Sequence, residues 1–229
     1  MIAGPPSVSR RPVGSGQGLR VAPLGDAALL VEFDNRVDPR LNARALALAA
    51  ALERRRGIRE AVPGYASVAV HYDPERISYR KLVTVVERLA RTTVARLPGG
   101  RLHRIPVVYD GPDLEYVTSE LGLTLDKLIE LHTSPTYRCF MIGFTPGWAY
   151  LGPLPEALWL PRRRVPRTHV PPGSVAIAGA QTGIYTLPTP GGWHLIGRTT
   201  VRLFLPDSDP PCLLRPGDRV RFFAQPSPS

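Results

Sequence analysis

The chain has 229 residues, of which 43% are hydrophobic and 21% are charged, so it suits one large or two small globular domains. The longest apolar run, near residues 45–52, is too short to cross a bilayer, and no apolar stretch follows Arg10 and Arg11 as it would in a signal peptide. We therefore expect no membrane partner and a cytoplasmic location.

The formal net charge of +10 raises the question of nucleic acid binding. The excess is spread along the chain and rests on 27 arginines against 2 lysines, a skew that genome composition or heat adaptation explains as readily as phosphate binding. The densest cluster joins Arg162, Arg163, Arg164 and Arg167. It suits an anionic ligand, an acidic partner or simply a solvated loop, and we expect no nucleic acid partner.

The two cysteines, Cys139 and Cys212, are too few for a structural zinc site or a disulfide framework. No neighbouring histidine or evident helix N-terminus would lower the pKa of Cys139, so we expect two small buried hydrophobic residues rather than a catalytic thiol. No set of His, Cys and carboxylate residues has metal-ligand spacing, and no metal site is expected in this chain.

The N-terminal part alternates strands and helices. Residues 1–18 are rich in Pro, Ser and Gly and are predicted to form a disordered tail. Two strands, LRVAPLG and AALLVEF, then flank a turn at Gly25 and Asp26. Asp38 is the expected N-cap of a helix that places Leu41, Ala45, Leu48 and Leu52 on one face.

The same alternation continues to residue 110. Residues 67–72 have the alternation of a strand, Ser78 is the expected cap of a second helix with an apolar stripe, and LHRIPVVY is a further strand. Two helices with about four strands in this order indicate α+β architecture, specifically a ferredoxin-like α/β sandwich over residues 19–110.

Residues 111–134 form a predicted pair of helices. Asp113 and Thr124 are the expected N-caps, and Gly122 is the expected stop between them. The pair resembles a helix-turn-helix, but its second helix carries Asp126 and Glu130, whereas a helix that enters a DNA groove should be basic. We therefore interpret the pair as a linker between domains.

Residues 135–229 change to short strands separated by turns. The strand-like segments are YRCFMIGF, SVAIAG, GIYTLP, WHLIG, TVRLFL and DRVRFF. Many short strands without intervening helices predict a closed β-barrel.

Several motifs in this part resemble the KipI/PxpB family, also called the allophanate hydrolase subunit 1 family. They are GFTPGWAYLGPLP, PRRRVPR, VPPGSVAIAGAQTGIYTLPTPGGWHLIGRT and LLRPGDRVRF. The similarity extends over roughly residues 20 to 224, and the order and spacing of several such motifs are hard to obtain by chance. The resemblance implies a cyclophilin-like β-barrel after the N-terminal domain.

The resemblance also implies a function. It indicates the B subunit of an ATP-dependent 5-oxoprolinase, which opens 5-oxoproline, a lactam, to glutamate. The implied partners are the C subunit, which is a second cyclophilin-like protein, and the A subunit. Two alternatives stay open: a KipI-type inhibitor of a sensor histidine kinase, and subunit 1 of an allophanate or urea-processing hydrolase.

The Gly-rich and aromatic motifs supply the candidate residues of a ligand pocket. Activating a lactam with ATP requires cations against phosphate, and arginine suits the carboxylate of the substrate. The candidate side chains are Phe144, Pro146, Trp148, Tyr150, Arg162, Arg163, Arg167, Gln181, Thr182, Tyr185, Trp193, His194, Arg198 and Thr199. The candidate backbone positions are Gly143, Gly147, Gly179, Gly183, Gly191 and Gly192. Barrel turns explain the glycines about equally well, the aromatics are as readily core, and His132 is better explained as a half-buried structural histidine.

The sequence assigns no catalytic residue. The segment GAQTG lacks the lysine of a phosphate-binding loop, and after Gly143 the only acids are Glu156, Asp207, Asp209 and Asp218. We therefore expect the partner proteins to supply the ATP site, the Mg²⁺ ligands and the general base, and the isolated chain to be inactive. We also expect Arg163→Ala and Arg167→Ala to leave the melting temperature nearly unchanged while reducing the activity of the complex.

Overall fold

The structure is a computed structural model that describes residues 18–34, 38–94 and 99–226. The chain forms two compact units, residues 1–97 and 98–229. The predicted tail lies outside the described residues except for Gly18. Among the described residues, no helix has the length and apolar character needed to cross a bilayer.

The first unit combines a four-stranded antiparallel sheet with two helices. Its elements are β1 (Arg20–Pro23), β2 (Ala28–Glu32), α1 (Pro39–Glu53), β3 (Ile58–Pro63), β4 (Ser67–Tyr72) and α2 (Tyr79–Thr92). The strand order is β1-β2-β4-β3. Residues from both helices and from the sheet form a single hydrophobic core cluster in this unit.

Local sequence signals explain where α1 lies. Asp38 accepts hydrogen bonds from the backbone N–H groups of Arg40 at 2.7 Å and Leu41 at 3.3 Å, so the predicted cap is confirmed. The predicted apolar face is confirmed as well, because Leu41, Ala45, Leu48 and Leu52 are all buried. Ser78 stands at the N-cap of α2, but its side chain makes no capping hydrogen bond.

The sheet of the first unit differs from the predicted ferredoxin-like order. That order requires a strand after the second helix to complete the sheet. The strand predicted there, β5 (Leu102–Val107), instead pairs in parallel with a strand near the C-terminus. The place beside β2 is taken by β1, which reaches it through the short hairpin at Gly25, where φ is 74°.

The second unit is built on a seven-stranded, barrel-like sheet. After β5 its elements are α3 (Leu114–Leu121), α4 (Leu125–Thr133), β6 (Tyr137–Ile142), β7 (Ala149–Gly152), β8 (Arg167–Val170), β9 (Ser174–Ala178), β10 (Gln181–Ile184), β11 (Thr189–Gly191), β12 (His194–Arg198) and β13 (Arg219–Ala224). The strand order is β12-β9-β10-β7-β6-β13-β5, and β8 and β11 form a separate pair. Val108, just after β5, exchanges two backbone hydrogen bonds with Arg198 of β12, so the sheet is nearly closed.

The helices predicted as a linker belong to this second unit. Val117 of α3 and Leu128 of α4 are fully buried in the same core cluster as Leu151 and Phe222 of the sheet. Both helices lie in the chain between β5 and β6, two strands of the same sheet, so they cover the barrel instead of joining two domains. Thr124 caps α4 as predicted, by accepting a hydrogen bond from the N–H of Lys127.

One predicted barrel strand does not form. Residues 200–205, the segment TVRLFL, contain no strand, and Phe204 makes only an isolated bridge to Cys212. Pro206, Pro210 and Pro211 follow, and proline has no backbone N–H to donate to a ladder. The segment is therefore a loop on the barrel.

Candidate functional site

The second unit contains a cavity of about 240 Å³ with aromatic walls. It is lined by Phe144, Trp148, Tyr150, Arg162, Pro166, Tyr185, Pro190, Gly191, Gly192 and Trp193. Eight of these ten residues are among those predicted from the sequence; the two prolines, Pro166 and Pro190, are not. We call this space the aromatic cavity.

Trp148 lies at the centre of the aromatic walls and is 1% exposed. Its ring meets Tyr185 and Trp193 edge to face, with centroids 4.5 and 5.2 Å apart, a favourable geometry for aromatic pairs. Gly183 of β10 makes room for the indole, since a Cβ there would lie 2.9 Å from Cζ2 of Trp148. This glycine is therefore required by close packing rather than by a turn.

Gly191 plays the same part for Tyr185. A Cβ at Gly191 would overlap the Tyr185 hydroxyl group. The phenol ring can therefore occupy its position only if residue 191 is glycine. Burial raises the pKa of Tyr185, although a hydrogen bond from the backbone N–H of Trp193 and the charges of Arg162 and Arg167 act in the opposite direction. The phenol is therefore protonated at neutral pH and is able to donate a hydrogen bond.

Phe144 stands at the rim of the cavity in a strained conformation. Its φ of 68° lies in the left-handed region, which bulky side chains rarely adopt, and its side chain is 60% exposed. Backbone strain of this kind persists only where the surroundings enforce it, and it concentrates at ligand-binding segments. The turn is held by backbone hydrogen bonds from Thr145 to Gly143 and from Trp148 to Thr145.

One charged group, the guanidinium of Arg162, gives the aromatic cavity its chemical character. The exposed guanidinium of Arg162 lies 6.0 Å from the centroid of Trp193. The indole N–H of Trp148 is buried without a hydrogen-bond partner among the described residues, which is costly for a donor. No Asp or Glu is among the lining residues. A small ligand with a carboxylate suits the positive charge of Arg162.

A buried carboxylate holds the wall that carries Arg162. Asp113 is 3% exposed and accepts hydrogen bonds from Arg163 at 2.8 Å, from Arg167 at 2.7 and 2.9 Å, and from the backbone N–H of Leu195 at 2.7 Å. Burial alone would raise the pKa of Asp113, but these hydrogen bonds and the two positive charges lower it overall. Arg163 also donates its backbone N–H to the carbonyl of Gly192, so the segment from Arg162 to Arg167 is fixed at both ends.

The sequence does not reveal the role of Asp113, because its place before a helix predicts only a helix cap. Asp113 does precede α3, but its side chain makes no capping hydrogen bond. Arg163 and Arg167, expected to present their charges to a ligand, are matched by a carboxylate of their own chain. Their removal would leave that buried charge uncompensated, so an unchanged melting temperature no longer follows, and we expect a lower one.

Thr182 belongs to the barrel core rather than to the aromatic cavity. Its hydroxyl donates to the carbonyl of Ala176 at 3.0 Å and accepts from Nε2 of His132 at 2.9 Å. Nδ1 of His132 accepts from the Tyr109 hydroxyl at 2.6 Å. Burial lowers the pKa of His132 to about 3, so the imidazole is neutral and anchors α4 to the sheet.

The other predicted side chains lie outside the cavity lining. Nε2 of His194 donates to the carbonyl of Pro161 at 2.8 Å, and Arg198 pairs with Asp110 at 2.8 Å. Thr199 accepts a hydrogen bond from the N–H of Val201 and borders a second, larger cavity of about 760 Å³ that shares Tyr185. The remaining predicted residues that do not line the aromatic cavity are Pro146, Gln181, Gly143, Gly147, Gly179 and Gly183.

Cys139 is not a reactive thiol, and the acidic groups form no metal site in the part of the chain that is described. Burial raises the pKa of Cys139 above its ordinary value, an effect that the charge of Asp218 strengthens, so the thiol is unreactive. Over residues 18–34, 38–94 and 99–226, no group of three or more His, Cys, Asp or Glu residues could hold a metal ion.

The chain matches one family model and is similar to a named protein over most of its length. The family model for the carboxyltransferase domain, subdomain C and D, matches residues 19–214. A protein from Escherichia coli O157:H7 that is named as the B subunit of 5-oxoprolinase is 44% identical over 209 residues, which cover 88% of this chain and 94% of that protein.

Solved structures resemble the chain over most of its length. The structure of TTHA0988 matches with a TM-score of 0.79 at 44% identity over 88% of this chain, which spans 40% of that longer chain. The urea amidolyase of Kluyveromyces lactis matches with a TM-score of 0.77 over 95% of this chain and 16% of its own length. At 20% identity, this second likeness shows the fold alone.

Proposed function

Because this chain belongs to the carboxyltransferase-domain subdomain C and D family, we propose that it is the B subunit of an ATP-dependent 5-oxoprolinase. The observation that carries the proposal is the 44% identity to a protein of that name over 94% of its length. In the proposed complex the chain acts with the A subunit and with the C subunit, which shares its cyclophilin-like barrel. This chain spans only 40% of TTHA0988, and its similarity to part of that longer chain supports a protein that acts together with additional polypeptide.

We further propose that the aromatic cavity takes the lactam. The ring of 5-oxoproline is flat and mostly apolar, so it would lie against the faces of Trp148, Tyr150 and Trp193. Its carboxylate would face Arg162, the charged residue of the cavity lining.

In the proposed reaction the residues of this chain bind and orient the lactam. ATP supplies the phosphoryl group that activates the lactam carbonyl toward water. The Tyr185 hydroxyl would stabilise negative charge on the carbonyl oxygen, because a donor in a dry site acts strongly on developing charge. No carboxylate lines the cavity among the described residues, so the Mg²⁺ ligands and the general base are assigned to the companion proteins.

The isolated chain is expected to release neither ADP nor glutamate from ATP and 5-oxoproline, whereas the chain mixed with the A and C subunits is expected to release both. The measurement is a coupled ADP assay together with glutamate detection. Turnover by the isolated chain would contradict its assignment to a multi-protein enzyme. Turnover of urea or allophanate in place of 5-oxoproline would instead assign the chain to a urea-processing hydrolase.

Arg162→Ala is expected to raise the KM for 5-oxoproline at least tenfold in the assembled complex, since it removes the cation proposed to face the substrate carboxylate. The kcat should change by less than about threefold, because Arg162 would bind the substrate carboxylate equally well in the ground state and in the transition state. Arg164→Ala is the matched control: it removes a neighbouring exposed arginine that does not line the cavity. Equal KM values for the two variants would contradict the assignment of Arg162.

A further inference from the structure

Four arginines lie on the outer face of three adjacent strands of the barrel. Arg219 and Arg221 point outward from β13, where they alternate with the buried residues Val220 and Phe222. Arg138 of β6 is the register partner of Arg219, and Arg104 of β5 is the register partner of Arg221. Register partners share a face of the sheet, so the four guanidinium groups form one surface, which we call the arginine face.

The arginine face lacks matching negative charge. None of its four members forms an ion pair with another described residue, whereas Arg163, Arg167 and Arg198 elsewhere in this unit are each paired with an aspartate. Like charges placed directly opposite each other on neighbouring strands are destabilising. The sequence therefore maintains an unfavourable arrangement at both registers, Arg104 with Arg221 and Arg138 with Arg219.

Within the described part of the chain, the guanidinium of Arg138 also lacks hydrogen-bond partners at two of its nitrogens. Its Nε and Nη2 are buried and have no hydrogen-bond partner among the described residues. Burial lowers the pKa of this guanidinium, as expected for a charge removed from water without compensation. Buried donors are normally satisfied, so the unmatched guanidinium of Arg138 adds to the uncompensated positive charge of the arginine face.

Apolar side chains are interleaved with the arginines. Leu102, the register partner of Arg219 on β5, is 49% exposed, and Phe223 of β13 is 39% exposed. The guanidinium of Arg104 lies over the Phe223 ring at 5.7 Å from its centroid. A cavity of about 340 Å³ lies beside Arg104, Arg221 and Thr133 and is large enough to admit a side chain. Arginine and aromatic residues are enriched in protein interfaces.

We propose that the arginine face docks an acidic protein surface, provided by another member of the complex. The inference rests on the proposed function, because it takes its partner from the 5-oxoprolinase assembly. Carboxylates suit the face because they would neutralise arginines that have no ion-pair partner among the described residues. A protein surface would also bury Leu102 and Phe223, which a phosphate backbone would leave in water.

The test is the variant Arg219→Glu/Arg221→Glu. It places a carboxylate opposite Arg138 and another opposite Arg104, so it turns two like-charge pairs into two opposite-charge pairs. The melting temperature should therefore be equal to or higher than that of the wild type. The control, Arg80→Glu/Arg88→Glu, makes the same change of net charge at two exposed positions of α2.

The measurements are the dissociation constants for the A and C subunits, by light scattering and titration, and the salt dependence of those constants. We expect the β13 variant to bind at least tenfold more weakly, with a shallower salt dependence, while the α2 control binds like the wild type. Equal binding by a folded β13 variant overturns the docking surface and leaves the proposed function intact. A wild-type chain that binds neither partner overturns both.

A labelled DNA duplex and a single-stranded oligonucleotide serve as competing ligands. Tight binding of either one by the wild type, lost in the β13 variant while the protein partners still bind, would make the face a polyanion site and overturn the proposal. Weak binding shared by both variants is the expected result, since it reflects net charge alone.

Discussion

Asp113→Asn is expected to lower the free energy of unfolding of the second unit by about 3 kcal/mol, which corresponds to a fall in melting temperature of roughly 10 °C. The amide keeps the shape of the side chain but removes its charge. Arg163 and Arg167 then lose their common partner, and an amide N–H₂ faces their donors. The estimate lies at the low end for a broken buried pair because the arginine side chains remain 33% and 22% exposed.

The pH dependence of this effect follows from the lowered pKa of Asp113. A carboxylate whose pKa is lower in the folded state contributes its full stabilisation above its ordinary pKa of 3.8, and this contribution is lost as the pH falls through the lower, folded-state value. The difference in stability between the wild type and Asp113→Asn should therefore be constant near neutrality. It should begin to shrink as the pH falls below 3.8, and it should vanish below the lower folded-state pKa, where the wild-type carboxyl is protonated as well.

Asp110→Asn is the matched control, since Asp110 also pairs with an arginine at 2.8 Å but is half exposed with its partner Arg198. An exposed pair contributes little, so this change should cost less than about 1 kcal/mol. Chemical denaturation of both variants from acid to neutral pH provides the measurement. Equal stability losses would show that Asp113 does not anchor the cavity wall.

The walls of the aromatic cavity could be predicted because their signals are local. Trp148, Tyr150, Tyr185 and Trp193 stand among glycines and prolines at positions that neither a helix nor a plain strand requires, and this density indicates shaped loops around a pocket. The structure brings these four aromatic residues together around one cavity.

The pairing of Asp113 with the two arginines could not be predicted in the same way. The partners are 50 and 54 residues apart, and an aspartate before a helix has a sufficient local explanation as a cap. The only indication was indirect: the sequence after Gly143 has too few acids to neutralise its arginines. Such a shortage shows that a partner is needed but does not identify it.

The same distinction between local and non-local signals accounts for the fold. Alternation in LHRIPVVY is enough to predict a strand, and β5 forms there. Its pairing with β13, far along the chain, depends on contacts that the alternation does not encode. The ferredoxin-like prediction places β5 in the sheet of the first unit, and with β5 there the helices that follow it would form a linker.

Gly191→Ala is expected to reduce kcat/KM for 5-oxoproline by at least a hundredfold in the assembled complex. A methyl group at this position would overlap the Tyr185 hydroxyl, so either the phenol or the β11 backbone must move. Tyr185 is 1% exposed and packs against Trp148, so it has little room to move without disturbing that ring. Overpacking of this kind should also cost about 1–3 kcal/mol of stability.

Gly192→Ala separates a local clash from a general intolerance of side chains in this loop. Gly192 lines the same cavity and is the next residue, but its added Cβ would lie 3.7 Å from Pro166 Cγ, an ordinary contact. We expect this variant to keep its melting temperature and at least a third of its activity. Steady-state kinetics and thermal unfolding of both variants give the comparison, with the Trp fluorescence of the isolated chain reporting on Trp148, Trp159 and Trp193. If Gly191→Ala were as active as Gly192→Ala, the phenol of Tyr185 would not be needed in its present position, and the lactam would have to bind elsewhere in the complex.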